Sequence, residues 1–168
     1  PKISEIKFFK LLYVGRIRIE KGIFSLANLI KNKRDISLTI IGAEKETPYN
    51  INQSNVKIQQ NQNNKIKLIK SYDDHNIFIL PSYTEGSPMV LLEALARRRP
   101  IIIFDEIKHV IGDKKGIFIS KRNFLSFVGI LNYIKKNYKK IQKEMKKNKL
   151  PTNKEFIEKF VKSINEFK

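Results

Sequence analysis

The chain has 168 residues, the size of one globular domain with an adequate core, and a formal net charge of +18. Cysteine is absent, which excludes disulfides and thiolate chemistry, and the only two histidines lack the spacing of a structural zinc site. No apolar run is long enough to span a bilayer and the amino terminus lacks a signal-peptide pattern, so we expect a cytoplasmic protein. Because the first residue is Pro1 rather than methionine, we expect a fragment of a longer protein.

The positive charge has three competing explanations. The simplest is a compositional bias towards lysine, asparagine and isoleucine along the whole chain. A second is attraction to an anionic membrane surface, on the inner face of the membrane. The third is nucleic-acid binding, but the lysines are dispersed and no RNA-binding, zinc-finger or helix-turn-helix signature accompanies them. Nucleic acid is therefore the least favoured partner.

The first half of the chain alternates short apolar runs with amphipathic stretches, which is typical of strands followed by helices. A polar surface loop is expected at 43–54. The other predicted elements are a strand at 10–15, a helix at 23–33, a strand at 36–41 closed by Gly42, a short strand at 56–59 and a helix at 65–72.

The second half continues the alternation and ends in lysine-rich amphipathic stretches. Pro151 breaks the chain before the last of them, and His109 is expected to be a surface or helix residue. The predicted elements are a strand at 76–80, a helix at 89–96, a strand at 100–104, a short helix at 106–112, a strand at 116–119, one or two helices within 122–148 and a final helix at 153–167.

Strands that alternate with helices through short loops predict a parallel sheet covered on both faces. We therefore expect one doubly wound, Rossmann-like α/β domain over residues 1–168, with a core at about 10–148. In such domains ligands bind beyond the carboxyl ends of the strands, at the point where the strand order reverses. Asp73 and Asp74 precede a strand, so we expect them to form a turn at the opposite edge of the sheet.

The stretch at 79–96 is the most informative part of the chain. A buried strand ends at Pro81, Ser87 is a candidate N-cap, and Pro88 suits the first position of the following helix. The free amides and positive dipole end of that helix would favour an anion. Gly86 allows close approach of a ligand or a positive φ. Taken alone, Glu85 at the helix mouth would be a capping charge.

A second candidate segment follows the first predicted strand. Gly15 reduces the bulk of the backbone at the strand end, Arg16 offers a planar fork of donors, and Lys21 offers a point charge near the next helix. Without further information, Arg16 and Lys21 would be interpreted as solvated loop charges. We assign no role to Arg18, a further cation in this loop.

Both segments resemble a known family. The first matching set is Pro81, Ser82, Glu85, Gly86, Pro88, Glu93 and Ala94, and the second is Val14, Gly15, Arg16, Lys21 and Gly22. The first set resembles the Glu-x7-Glu signature of retaining glycosyltransferases with the GT-B fold, the glycogen-synthase-like group. The second resembles the Val-Gly-Arg and Lys-Gly segment of the same family. The resemblance covers about residues 10–120.

This resemblance implies the donor-binding half of a two-domain enzyme that transfers a hexose-type sugar from a UDP- or GDP-linked donor to a glycan or a lipid-linked acceptor. It implies that Arg16 and Lys21 grip the diphosphate, Glu85 contacts the transferred sugar, and Glu93 holds the ribose hydroxyls. It implies catalytic roles for Glu85, Arg16 and Lys21 and no metal or other cofactor. The implied donor-binding residues are Gly15, Arg16, Lys21, Glu85, Gly86, Ser87, Pro88, Met89, Val90 and Glu93.

Two departures from the family pattern stand out. Arg97, Arg98 and Arg99 replace the usual small residue and glycine before Pro100, so either Arg98 or Arg99 adopts an unfavourable backbone conformation or the turn is rebuilt. The acceptor-binding amino-terminal domain is also missing. The helix at 153–167 would normally cross to that domain, so we expect it to be poorly anchored or packed on a neighbour.

Two alternatives to a glycosyltransferase domain remain open. One is a non-catalytic nucleotide-binding or interaction module that kept the fold. The other is a basic nucleic-acid-binding protein, for which binding would depend steeply on salt and would not respond to nucleotide sugars.

Overall fold

The computed structural model describes residues 6–43, 51, 53–152 and 155, and at its centre lies a six-stranded sheet in which every strand pair is parallel. The strands are β1 Phe9–Val14, β2 Ile36–Ala43, β3 Val56–Gln60, β4 Ile77–Leu80, β5 Ile101–Phe104 and β6 Ile117–Ser120. Their order across the sheet is β3-β2-β1-β4-β5-β6. This is the strand order of a doubly wound Rossmann-like domain, so the predicted fold class is confirmed.

Helices connect the strands on both sides of the reversal point. Within the described residues they are α1 Ile23–Leu29, α2 Lys65–Asp74, α3 Met89–Ala96 and α4 Phe124–Met145, with 3₁₀ segments at Ile19–Lys21 and Asp105–Val110. The end of α1 lies beside the start of α4, where the Lys33 ammonium is 4.2 Å from the centre of the Phe124 ring. None of the helices in the described ranges combines the length and the apolar character needed to cross a membrane.

The core is formed by the central strands together with buried residues of α1, α3 and α4. Every residue of β4 and β5 is buried, as expected for inner strands of a parallel sheet. From α4, Phe127 stacks on Phe104 of β5 at 6.2 Å between ring centres. Farther along the helix, the buried Tyr138 donates a hydrogen bond to the Asn76 carbonyl oxygen at 2.8 Å. These contacts hold α4 along the full length of the strands.

Several predicted boundaries are wrong by a few residues. The helix α1 ends at Leu29 rather than at 33, because Asn32 has a φ of +61° that a right-handed helix cannot contain. The strand β2 continues through Gly42 to Ala43, with a shift of register against β3. By contrast, α4 is a single helix that lies within the predicted range of 122–148, and it begins at Phe124 because the Asn123 side chain caps it by accepting from the Ser126 amide.

Other predictions fall outside the described residues or change in kind. The predicted helix at 153–167 lies outside them apart from Glu155, and so does most of the loop at 43–54. The short helix predicted at 106–112 is the 3₁₀ segment Asp105–Val110. His109 is exposed within it, as expected.

The predicted turn at Asp73 and Asp74 is wrong, because both residues belong to the last turn of α2. The Asp73 carboxylate accepts hydrogen bonds from Nε and Nη2 of Arg97 at 2.9 and 2.5 Å, and the Arg99 guanidinium lies 3.6 Å away. Partial burial opposes ionisation, but the hydrogen bond and charge of Arg97, together with the charge of Arg99, hold the pKa of Asp73 below its usual range. The pair of aspartates therefore ends a helix and ties α2 to the end of α3.

The chain of three arginines after α3 forms the same helix-ending turn in which a glycine is usual. Arg98 has a φ of +52°, its amide donates to the Leu95 carbonyl, and the Arg99 amide donates to the Ala94 carbonyl, each at 2.9 Å. These two bonds define a Schellman motif with a left-handed residue in its usual place. The unfavourable backbone conformation predicted at Arg98 or Arg99 is thus confirmed at Arg98. Arg99 is only 1% exposed and reaches the Tyr138 hydroxyl.

Replacing Arg98 with glycine is expected to stabilise the domain. A left-handed conformation costs a non-glycine residue about 1–2 kcal/mol, and the extra chain entropy of glycine offsets part of the gain, so Arg98→Gly should add about 1 kcal/mol. For a chain of this size, the melting temperature in a thermal unfolding scan should rise by about 3 °C. The matched control is Ala96→Gly, two residues earlier and helical, which should lower stability by about 1 kcal/mol. A lower melting temperature for Arg98→Gly would contradict the prediction.

Candidate functional site

The two candidate segments lie side by side at one edge of the sheet. The first, containing Gly15, Arg16 and Lys21, follows β1, and the second, containing Glu85, follows β4. These strands are neighbours in the sheet, and the strand order reverses between them. Parallel strands present their carboxyl ends at a common edge, so this reversal opens the crevice in which doubly wound domains bind ligands.

An ion pair joins the two segments. The Lys21 ammonium lies 2.8 Å from Oε1 of Glu85, and the side chains are only 21% and 11% exposed. The Ser82 hydroxyl donates to the same carboxylate oxygen at 2.6 Å. No described residue makes a hydrogen bond to Oε2 of Glu85. The carboxylate is therefore held in place through one oxygen while the other can still accept hydrogen bonds.

Close backbone contact holds the two loops together beneath this ion pair. A Cβ added to Gly22, which has a φ of +65°, would lie 1.9 Å from the Pro81 carbonyl oxygen. Two residues away along each segment, the Tyr83 amide donates to the Glu20 carbonyl oxygen at 2.9 Å. Lys21 lies between these two contacts, so its position relative to Glu85 follows from the backbone.

Arg16 is a solvent-exposed cation of the first loop. Its side chain is exposed, and its guanidinium makes no ion pair or hydrogen bond with a described residue. The Tyr13 hydroxyl donates to the Arg16 carbonyl oxygen at 2.9 Å. Burial, followed by the charges of Glu85 and Glu20, raises the pKa of Tyr13, which keeps this donor protonated. Gly15 is required here, because a Cβ would lie 2.7 Å from the Tyr13 oxygen.

The start of α3 leaves its first amides free of a side-chain cap. Ser87 is not the predicted N-cap, because Pro88 has an extended backbone (φ −73°, ψ 106°) and itself precedes the first helical residue, Met89. The proline side chain carries no acceptor and the Pro88 carbonyl oxygen accepts from Leu91, so the amides of Met89 and Val90 remain available to a ligand.

The loop before α3 is open to solvent. Of the two predictions for Gly86, the positive φ is wrong. A Cβ atom added to Gly86 would have no neighbour within 4 Å, which leaves room for a ligand. Gly86 and Ser87 are exposed. Together with Pro88 and His109 they line a cavity of about 610 Å³, which the other predicted site residues do not reach.

Glu93 lies apart from the Lys21–Glu85 pair and is held from another element. It is exposed on α3, and its Oε2 accepts a hydrogen bond of 2.7 Å from the Tyr72 hydroxyl of α2. Tyr72 is 2% exposed, and burial, followed by the charge of Glu93, raises its pKa. The structure therefore orients Glu93 through Tyr72 and does not bring it into contact with Arg16, Lys21 or Glu85.

The comparison with known families decides the classification of the domain. The sequence profile of the family described as Glycosyl transferases group 1 matches residues 2–150. The chain belongs to this family. Its fold is one half of the GT-B architecture, and it resembles the crystal structure of TarM with a TM-score of 0.68 and 18% identity, over 96% of this chain and 36% of that one.

Two curated relatives are named for the biosynthesis of capsular polysaccharide and of teichuronic acid. A capsular polysaccharide biosynthesis glycosyltransferase, CapM of Staphylococcus aureus, is 30% identical in an alignment 141 residues long that covers 71% of this chain and 37% of CapM. A glycosyltransferase assigned to teichuronic acid biosynthesis, TuaC of Bacillus subtilis (strain 168), is 35% identical over 95 residues, which are 56% of this chain and 24% of TuaC. The chain thus spans well under half the length of either relative.

Sequence reasoning missed Arg122, which contacts the candidate site of this group 1 glycosyl transferase domain. Its Nη2 donates to the Pro81 carbonyl oxygen at 3.0 Å and its Nε donates to Glu106 at 2.8 Å. Its guanidinium carbon lies 4.1 and 4.2 Å from the ring centres of Tyr83 and Phe104. Arg122 thereby braces the turn that presents Glu85. Its position just after the last predicted strand was an available signal, because the carboxyl end of that strand lies at the same edge of the sheet.

His109 also touches the site of this glycosyl transferase domain. Its Nε2 lies 2.8 Å from the Glu85 carbonyl oxygen. A carbonyl oxygen only accepts, so Nε2 carries the proton and donates. The sequence offered no signal for this contact beyond the position of His109 after β5. Among the described residues, no group of three or more histidine, aspartate or glutamate side chains could hold a metal ion.

Proposed function

We propose that this chain is the donor-binding domain of a retaining glycosyltransferase, which transfers a hexose-type sugar from a UDP- or GDP-linked donor with the help of an amino-terminal acceptor domain. The observation that carries the proposal is the Lys21–Glu85 pair across the β1–β4 crevice, with the free guanidinium of Arg16 in the same loop. A carboxylate beside two cations fits a ligand that joins a sugar to a diphosphate.

The diphosphate would bind between Arg16, Lys21 and the start of α3. Arg16 can form a bidentate contact with phosphate oxygens, and Lys21 has donors to spare after its contact with Glu85. The free amides of Met89 and Val90 add the positive end of a helix dipole. These groups would stabilise the charge that the diphosphate gains as it leaves, so we propose a reaction that needs no metal or other cofactor.

The two glutamates would bind the two sugars of the donor. Glu93 has one oxygen occupied by Tyr72 and the other without a described partner, which suits the vicinal hydroxyls of ribose. Glu85 would accept hydrogen bonds from the transferred sugar and stabilise the positive charge that develops at the anomeric carbon. The bond from that carbon to the diphosphate would break while the acceptor oxygen bonds on the same face, and the acceptor proton would pass to the departing diphosphate.

The acceptor and location remain part of the proposal. The names of the two curated relatives support a glycan or lipid-linked acceptor of the cell envelope. The net charge of +18 fits an anionic surface, so we propose a cytoplasmic domain with peripheral attachment to the inner face of a membrane.

Calorimetric titration with UDP, GDP and ADP tests the donor site. We expect binding of one of the three in the micromolar to millimolar range, weakened about tenfold by Arg16→Ala and by Glu93→Ala, since hydrogen bonds to charged groups contribute about 1.5–3 kcal/mol. The matched control is Arg18→Ala, which removes an exposed cation of the same loop and should change the affinity less than about threefold.

The other outcomes distinguish the alternatives. Equal losses in Arg16→Ala and Arg18→Ala would mean that general charge, not a diphosphate site, binds the nucleotide. No binding of any nucleotide, even after the amino-terminal domain is added, would contradict the site assignment. Nucleotide binding without sugar transfer in the two-domain protein would favour a non-catalytic module.

A further inference from the structure

We propose that the outer face of α4 is the surface that docks on an anionic membrane. The proposal goes beyond donor binding and does not depend on it. The outer face consists of the exposed residues of α4: Leu125, Gly129, Asn132, Tyr133, Lys135, Lys136, Lys139, Lys140 and Lys143. Two of them also contact strands, because the Tyr133 ring packs edge-on against Phe118 of β6 and the Lys135 ammonium lies 5.7 Å from the centre of the Phe9 ring.

The lysines of this face are concentrated on one side of the helix. At 3.6 residues per turn, the five lysines of the outer face lie within an arc of about 140°. The buried residues of α4, such as Ile134, Tyr138 and Ile141, lie on the opposite side and pack on the sheet. Burial of the opposite side confines the charged residues of α4 to this arc, so the informative feature is that the arc contains five lysines and no acidic residue.

Very little negative charge offsets these lysines. Glu144 is the only acidic residue between positions 114 and 152, and it is paired with Lys147 at 2.9 Å. Lys136, Lys139, Lys140 and Lys143 form no salt bridge with a described residue. Clusters of four to eight basic residues on an amphipathic helix attract anionic lipid headgroups.

The uncharged end of the outer face favours a bilayer over nucleic acid. Leu125 is 82% exposed in the first turn of α4 and falls within the lysine arc. Tyr133, at the edge of that arc, is 54% exposed but packs its ring edge-on against Phe118 of β6. An exposed leucine side chain can enter the headgroup boundary of a membrane, whereas phosphates of a nucleic acid gain nothing from it.

The direction of α4 makes this docking compatible with an open crevice. The helix begins just after Arg122, at the edge that holds the candidate site, and ends at Met145, which contacts Gly116 at the opposite edge of the sheet. The outer face therefore runs along the side of the domain. A bilayer on that side would lie beside the crevice rather than over it.

Vesicle co-sedimentation tests the proposal. The probe is vesicles of phosphatidylglycerol and phosphatidylcholine, compared with vesicles of phosphatidylcholine alone. The outer-face variant is Lys136→Gln, Lys139→Gln and Lys143→Gln combined. We expect it to bind the anionic vesicles at least about tenfold more weakly than the unmodified chain, because each lysine at the surface contributes several-fold.

A matched variant with the same net charge separates position from charge. Lys57→Gln, Lys65→Gln and Lys67→Gln combined removes three exposed lysines from β3 and α2, and β3 is the edge strand farthest from β6. Beyond the screening distance these lysines contribute little, so the affinity should fall less than about threefold. Thermal unfolding confirms that both variants are folded, and the nucleotide titration without vesicles should be unchanged in both.

Leu125→Ser tests the apolar contact separately, because this change does not alter the net charge. It should weaken binding to anionic vesicles several-fold and leave binding to a duplex RNA unchanged. Equal losses in the two triple variants, equal binding to neutral vesicles, or tighter binding to the RNA than to anionic vesicles would each overturn the proposal.

Discussion

Glu85→Gln is expected to remove most of the sugar transfer while the domain stays folded and still binds the nucleotide. The amide keeps the size of the side chain and can accept from Ser82 and Lys21 as the carboxylate does. It lacks the negative charge that would stabilise the positive charge developing at the anomeric carbon in the transition state. Loss of one preorganised electrostatic contact of this kind costs about 100- to 1000-fold in kcat.

The measurement is the rate of transfer from the nucleotide sugar by the domain joined to its amino-terminal half, together with the dissociation constant of the nucleotide. The rate should fall by the stated factor, and the dissociation constant should change by less than about threefold, since the proposed contact is to the sugar. Glu20→Gln is the matched control, because Glu20 is an exposed carboxylate of the adjoining loop that contacts Tyr83 through its backbone only. A Glu85→Gln enzyme with most of its activity would rule out the proposed role.

Gly22→Ala is expected to destabilise the whole domain. The new methyl group would lie 1.9 Å from the Pro81 carbonyl oxygen, which is backbone and also accepts from Arg122, so one of the two loops must move. The left-handed conformation of alanine costs about 1–2 kcal/mol more, and the free energy of unfolding should fall by about 3 kcal/mol or more in total. The same movement would separate Lys21 from Glu85 and weaken nucleotide binding.

Urea unfolding measures this effect, and two other glycines provide controls. Gly86→Ala should change the free energy of unfolding by less than about 0.5 kcal/mol, because its Cβ position is open and its φ is not positive. Gly129→Ala, on the exposed side of α4, should raise stability by up to about 1 kcal/mol. If Gly22→Ala unfolded at the same urea concentration as the unmodified chain, the close contact between the loops would be contradicted.

The local predictions succeeded where hydrophobic periodicity decides the outcome. All six strands lie within a residue or two of their predicted positions, since a buried parallel strand appears as a continuous apolar run. The predicted helix boundaries were less accurate. Asn32 ends α1 early through its backbone conformation, and Pro88 takes the cap position predicted for Ser87. Both depend on how the chain turns towards the next strand, which periodicity does not encode.

Long-range pairing explains what the sequence could not predict at the site. Tyr72 and Glu93 are 21 positions apart, and Arg122 and Pro81 are 41 apart. Nothing in either local pattern indicates the other partner. Arg99 is similar, because its side chain is buried against Asp73 and Tyr138, and the run of three arginines indicates neither partner. The donor-binding roles themselves remain predictions.

By itself, the sequence determined the fold class and the edge of the sheet where the candidate residues would meet. Both follow from short-range patterns, because alternating strands and helices form a parallel sheet whose carboxyl ends share one edge. Only the tertiary structure decided which groups touch there. Lys21 pairs with Glu85, Tyr72 orients Glu93, and Arg122 braces the turn, because these contacts depend on angstrom-scale distances between elements that are far apart in the chain.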